Sequence, residues 1–143
     1  MAKTPFRVEV LTPEGSCFDD EVTQISTRTK TGSIGILARH QPLLGILEPT
    51  ELRLYRGESD GDIVRFAQGE GYVQVSPDGV LILVEEAHKP EALDLKDLQD
   101  KLRRAEEAQS SAEPNTEESR RAGRDKRRWE AFIRIAEGDG DGR

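Results

Sequence analysis

Over roughly the first 85 residues, apolar side chains recur at alternate positions in short runs broken by turn residues, the pattern of half-buried strands. Phe6, Val8 and Val10 alternate with Arg7 and Glu9, and Thr12-Pro13-Glu14-Gly15 closes that run with turn chemistry. A β-branched run from Val22 to Arg28 follows, and Lys30-Thr31-Gly32-Ser33 turns the chain into Ile34-Gly35-Ile36-Leu37. Leu52 and Leu54 alternate with Glu51 and Arg53 ahead of a hairpin loop over residues 56–62. Ile63 to Ala67, Tyr72 to Val75 and Val80 to Val84 complete the series, with Ser76-Pro77-Asp78-Gly79 as the last turn. Eight or more short strands with no helix between them predict an antiparallel sandwich or flattened barrel.

After Glu85 the period changes from two to about 3.6, which predicts a two-helix appendage. Leu95, Leu98, Leu102 and Ala105 share one helical face, with Asp94 at the N-cap and Pro90 stopping the preceding strand. The stretch 110–114 breaks that helix, and Asn115 with Glu118 has the spacing of a capping box for a second one running to about Glu137. Ala122, Trp129, Phe132, Ile133 and Ala136 form its apolar stripe. The chain therefore divides into a sandwich over 1–88, a helical pair over 89–137 and a disordered tail over 138–143. Neither stripe is wide, so the hairpin reads as marginal; opened, helices of roughly 24 and 33 Å would reach far beyond the sandwich, which suits a switch.

Composition narrows the function classes. Aromatics make up only 5% of the residues, so the core has to be aliphatic. The lone Cys17 excludes an internal disulfide and reads as a small packing residue. No apolar run approaches the ~20 residues of a membrane-spanning helix. The start at Met1-Ala2-Lys3-Thr4-Pro5 has neither signal-peptide nor transit-peptide character, which places the protein in the cytoplasm. There is no Walker-type phosphate loop, no His-Glu-x-x-His, no Cys-x-x-Cys and no nucleophile elbow; only His40 and His88 could act as bases near neutral pH, and His40 reads as a turn or interface residue. An intrinsic active site is not expected.

One charge feature stands apart from the net charge of −7: Arg120, Arg121, Arg124, Lys126, Arg127 and Arg128 place six basic residues within nine positions. A solvated helix face balanced by Glu117, Glu118, Asp125 and Glu130 is the ordinary explanation. The excess over local pairing points to an acidic partner. A partner protein is favoured over nucleic acid, because only Trp129 offers a stacking ring nearby and the rest of the chain would repel phosphates.

Three segments carry a family resemblance: Thr12-Pro13-Glu14-Gly15; Gly32-Ser33-Ile34-Gly35-Ile36-Leu37 followed by His40-Gln41-Pro42-Leu43-Leu44; and Gly69-Glu70-Gly71-Tyr72-Val73-Gln74-Val75. In order and spacing they resemble the epsilon subunits of F-type ATP synthases. The resemblance implies a β-sandwich of about ten strands followed by a helical hairpin, in the central rotor stalk that couples proton flow to ATP synthesis. It implies that the sandwich binds the gamma subunit, with His40, Pro42 and Leu43 near that interface. The turn Thr29-Lys30-Thr31-Gly32-Ser33 would face the ring of membrane-embedded c subunits, making the protein peripheral on the cytoplasmic face of the cell membrane. It also implies that the helices act as a brake on ATP hydrolysis, extending along gamma so that the basic residues 120–128 meet an acidic segment of the beta subunit in the alpha/beta head.

Some relatives bind ATP through an Ile/Leu-Asp-x-x-Arg-Ala motif in the hairpin. Here Leu93-Asp94 is followed by Asp97-Leu98 in place of Arg-Ala, so no regulatory ATP and no other cofactor or metal is expected. Ala38-Arg39 replaces the Pro-Gly frequent before the histidine, and Ser33 replaces a common Glu. The competing function is a free-standing sandwich whose basic helix recognises nucleic acid or an acidic surface.

Overall fold

The computed structural model describes residues 3–57 and 62–138. Ten strands come first: β1 Phe6–Thr12, β2 Gly15–Val22, β3 Gln24–Thr29, β4 Gly32–Ile36, β5 Leu43–Leu47, β6 Thr50–Tyr55, β7 Ile63–Gln68, β8 Gly71–Ser76, β9 Gly79–Val84 and β10 Ala87–His88. They form one sheet in the order β10-β7-β6-β3-β5-β8-β9-β1-β2, with β4 on β3. Between β3 and β5 the pairing narrows to Thr29 opposite Leu47, so the sheet folds there and its two halves face each other. Among the described residues only β1 and β9 run parallel. The fold is the expected sandwich followed by two helices.

The alternation explains the packing. Val8 and Val10 of β1, Ile25 of β3, Leu52 and Leu54 of β6, Val73 of β8 and Ile82 of β9 all point inward and are fully buried in one aliphatic core. Gly79 closes the β8–β9 turn at φ 137°, a region costly for other residues, and a Cβ there would lie 2.7 Å from the Arg7 carbonyl oxygen. Cys17, expected to pack inside, lies exposed on the edge strand β2, whose residues are mostly in solvent.

Among the described residues one polar side chain is fully buried. Gln68 accepts from Thr27 Oγ1 at 2.7 Å and donates through Nε2 to the Glu48 carbonyl at 2.8 Å, tying β7 to β3 and to the β5–β6 turn. Gln68→Leu would leave that hydroxyl and carbonyl without partners, and is expected to cost about 2 to 3 kcal/mol in urea unfolding. A loss under about 0.5 kcal/mol would show the network to be dispensable.

A 3₁₀ turn at Pro90–Ala92 leads into α1, Leu95–Ser111, and α2, Glu117–Ala136. Asp94 caps α1 as expected, its carboxylate accepting from the Lys96 and Asp97 amides. The cap of α2 is not Asn115 but Thr116, whose hydroxyl accepts from the Ser119 amide, while Asn115 takes the left-handed turn at φ 66°. Asn tolerates that conformation because its short side chain can bond locally. The expected tail lies, apart from Gly138, outside the described residues, as do residues 58–61 of the β6–β7 loop.

The hairpin is seated rather than free. Leu98 of α1 and Ala131, Phe132 and Ile135 of α2 form a second buried cluster with Ala67 on the outer face of β7. Phe132 is also met edge-on by His88 of β10 and by Trp129, and Lys101 of α1 lies 4.9 Å above the Trp129 ring. This tertiary seat, absent from helical periodicity, gives the hairpin apolar contacts beyond those of its own narrow stripes.

Candidate docking surfaces

Strands β1, β9, β8 and β5 lie side by side, and their pairing fixes which outward side chains meet. Leu11 stands opposite Leu83, Leu83 opposite Tyr72, and Tyr72 opposite Ile46, so one apolar row crosses four strands. At ~4.8 Å between strands the row is about 14 Å long. Leu44 and Leu81 extend it on either side of Gln74 in the next row. Tyr72 is 54% exposed, Leu44 73%, Ile46 48% and Leu83 42%. A contiguous apolar row of this kind on the outer face of a sheet is a candidate surface for covering by another molecule.

None of these four is among the site residues that the sequence predicts. The signal was present in Leu43-Leu44-Gly45-Ile46-Leu47 and Val80-Leu81-Ile82-Leu83-Val84, where apolar residues occupy consecutive positions and so must face both ways.

The turn expected to face a ring lies at one end of this face. Thr29 Oγ1 donates to the Gly32 carbonyl and accepts from the Thr31 amide, and the Lys30 amide donates to the Ile46 carbonyl, so Lys30 and Thr31 form a tight tip beside the apolar row. Ser33 follows it on β4, exposed. His40 and Pro42 lie in the β4–β5 connection, and Leu43 opens β5 beside the exposed Leu44. His40 is held locally, its amide donating to the Leu37 carbonyl and its Nδ1 lying 2.8 Å from the Gln41 carbonyl oxygen. With Phe6, Leu37, Arg39 and Val75, His40 and Pro42 line a cleft of about 340 Å³. Arg39 occupies the left-handed region at φ 65°, where glycine would rest without strain. Arg39→Gly is therefore expected to change stability by under about 1 kcal/mol, because relief of strain is offset by a freer unfolded chain; a melting curve checks this.

The six basic residues do not form one open face. Arg120 and Arg124 share Glu117 as a partner at the start of α2, and the Glu117 carboxyl is held below its usual range by Arg124 first and Arg120 second. Arg121 and Arg127 are exposed, and at 3.6 residues per turn Lys126 projects from a different side. Arg128 is turned inward. Its Nε and Nη2 donate to both oxygens of Glu70 at 2.8 and 3.1 Å, and its Nη1 donates to Glu86 at 3.1 Å. Burial works to lower its pKa, but the Glu70 hydrogen bond and charge, then Glu86 and Asp125, raise it above the ordinary value. This guanidinium is spent on the sandwich while the hairpin is seated.

Among the described residues no group of three or more histidines, cysteines and carboxylates is placed to hold a metal ion. The Asp97 side chain, standing where a nucleotide motif would have Arg, pairs with Lys101 at 3.1 Å.

A sandwich with an apolar outer row, a polar turn at its end and a seated hairpin that carries the basic charge has surfaces of the kind a docking subunit presents. Residues 5–90 match the family model described as the ATP synthase delta/epsilon chain β-sandwich domain. The chain is 39% identical over 105 residues to the ATP synthase epsilon chain of Alkalihalophilus pseudofirmus, covering 73% of this chain and 74% of that one. It is 36% identical over 129 residues to the epsilon chain of Halalkalibacterium halodurans, covering 90% of each. A chain in the cryo-EM structure of the Euglena gracilis mitochondrial ATP synthase (OSCP/F1/c-ring) superimposes with a TM-score of 0.71 at 22% identity, over 88% of this chain and 78% of that one, which attests the fold. The chain belongs to the ATP synthase epsilon chain family. The comparisons give a free-standing nucleic-acid module no support.

Proposed function

We propose that this epsilon chain works in the central rotor stalk, coupling proton flow to ATP synthesis without a catalytic site of its own. The observation that carries this is the apolar row Leu11, Leu83, Tyr72 and Ile46, a ready docking face for the gamma subunit; of the expected interface residues His40 and Pro42 lie in the connection that leads into β5, while the Leu43 side chain turns to the inner face and packs on the core. The tip Thr29, Lys30, Thr31, Gly32 and Ser33 projects beside that row and is the proposed contact with the c ring. No described helix is long and apolar enough to cross a membrane, and attachment through the ring would hold the subunit peripherally at the cytoplasmic face.

The hairpin is the proposed brake on hydrolysis. In leaving its seat it would carry Arg120, Arg121, Arg124, Lys126, Arg127 and Arg128 toward an acidic segment of the beta subunit, and it would uncover Leu98, Phe132, Ile135 and Ala67. Regulatory ATP is not part of this proposal, since Asp97 would oppose a phosphate. Millimolar ATP is expected to leave Trp129 emission of the free chain unchanged; a saturable shift would overturn that.

The test adds back the full chain, or a truncation ending at Ala92, to the matching catalytic head stripped of this subunit. Tight binding by both with inhibition by the full chain alone is the expected result. Binding without inhibition would remove the brake, and failure of both to bind would remove the rotor assignment.

A further inference from the structure

We infer that Arg128, Glu70 and Glu86 form an electrostatic clasp that sets how often the hairpin leaves the sandwich. The inference deepens the braking role proposed above and, as regulation, rests on that reading; the clasp itself is a property of the free chain.

The clasp joins three separate pieces of the fold. Glu70 lies just before β8 and Glu86 just after β9, and the backbone holds them in place: the Gly69 amide donates to the Glu86 carbonyl at 2.8 Å and the Glu85 amide to the Glu70 carbonyl at 2.9 Å. Arg128 comes from the middle of α2 and bridges both carboxylates with three N–H groups. Side-chain exposure is 16% for Arg128, 21% for Glu70 and 26% for Glu86, well below that of the exposed pairs on α2 such as Arg124 with Glu117. His88 Nε2 lies 2.9 Å from the other Glu86 oxygen and its ring packs on Phe132, so the polar clasp runs directly into the apolar seat.

Two features make this a latch rather than ordinary surface pairing. The contact to Glu70 is bidentate, the geometry that fits a guanidinium best and that lysine cannot copy. It also spans the moving boundary, since every partner of Arg128 in these hydrogen bonds belongs to the sandwich segment and none to the hairpin. Opening therefore breaks all three bonds at once. The same guanidinium cannot meet a partner's carboxylate while the hairpin is seated, so clasp and partner compete for it.

Amide hydrogen exchange of the free full-length chain tests the clasp, with α2 reporting hairpin opening, β5 and β8 reporting the sandwich, and the single Trp129 as an optical check. In Arg128→Ala, α2 amides should exchange at least about tenfold faster, the equivalent of about 1.4 kcal/mol, with β5 and β8 protection kept. Raising sodium chloride from 50 mM to 1 M should speed α2 exchange in the parent chain and have little effect in the variant. A packing role alone would not remove the salt dependence. Arg127→Ala, at an exposed position, should match the parent.

Exchange of α2 within about twofold of the parent, or an unchanged salt response in Arg128→Ala, would overturn the clasp. If β5 and β8 also lose protection, the double variant Glu70→Gln/Glu86→Gln, which keeps the side-chain volumes, decides by the same two readouts. In Glu70→Gln/Glu86→Gln, which keeps Arg128 for a partner, faster α2 opening without deeper inhibition of the catalytic head would leave the clasp standing and remove the braking role.

Discussion

Gly71→Ala should destabilise the sandwich by more than about 3 kcal/mol and lower its melting temperature by roughly 10 °C, the largest stability effect expected for so small a change. Gly71 stands at the start of β8 opposite Val84, and a Cβ there would lie 1.8 Å from the Leu83 carbonyl oxygen and 2.7 Å from the Val84 Cα. Both are backbone atoms of the paired strand β9, so no rotamer change relieves the clash; the β8–β9 ladder has to separate. Against a total of ~5–15 kcal/mol for a domain, that loss is severe. Gly35→Ala is the control: nothing lies within 4 Å of its Cβ and its φ is not positive, so it should be neutral or stabilise by up to about 1 kcal/mol. Urea unfolding of the two variants side by side checks the argument, and a Gly71→Ala protein as stable as Gly35→Ala would refute the clash.

Tyr72→Asp should weaken binding to the gamma subunit at least about 100-fold while leaving the melting curve within about 0.5 kcal/mol of the parent. Tyr72 is the centre of the apolar row, flanked in register by Ile46 and Leu83, and its ring is more than half in solvent, so the sandwich loses little when it is replaced. A carboxylate at that point, flanked by Ile46 and Leu83, would be desolvated in an interface built on the apolar row. Leu83→Asp should behave the same way, whereas His40→Ala, at the margin, should lose much less. Calorimetric titration of gamma decides: parent-like affinity for both Asp variants would mean that the stalk grips another face.

How much of this could be read along the chain depended on what each segment buries. Strands β1, β3 and β6 are legible because Val8, Ile25 and Leu52 alternate with polar residues, and period two has a single meaning once one face is packed, while β9 is legible as the continuous apolar run Val80–Val84, bounded by the turn at Gly79. Strand β2 gave no such signal, since it lies at the sheet edge and Gly15–Val22 buries only Val22. Cys17 was misplaced for the same reason. At the second helix the capping residue moved from Asn115 to Thr116 because the turn needed a residue tolerant of positive φ, which helical spacing does not encode.

The sequence by itself determined the class of fold, the change from strand to helix near residue 88, the family, and the segment that carries the basic charge, because periodicity, turn chemistry and local charge are properties of neighbours along the chain. Only the tertiary structure decided that Leu11, Leu83, Tyr72 and Ile46 make one row, and that Arg128 leaves its basic neighbours to join Glu70, 58 residues away, and Glu86, 42 residues away. Those outcomes follow from which strands pair and where the hairpin seats, and strand order and seating are fixed by burial summed over the whole molecule, not by any local run of residues.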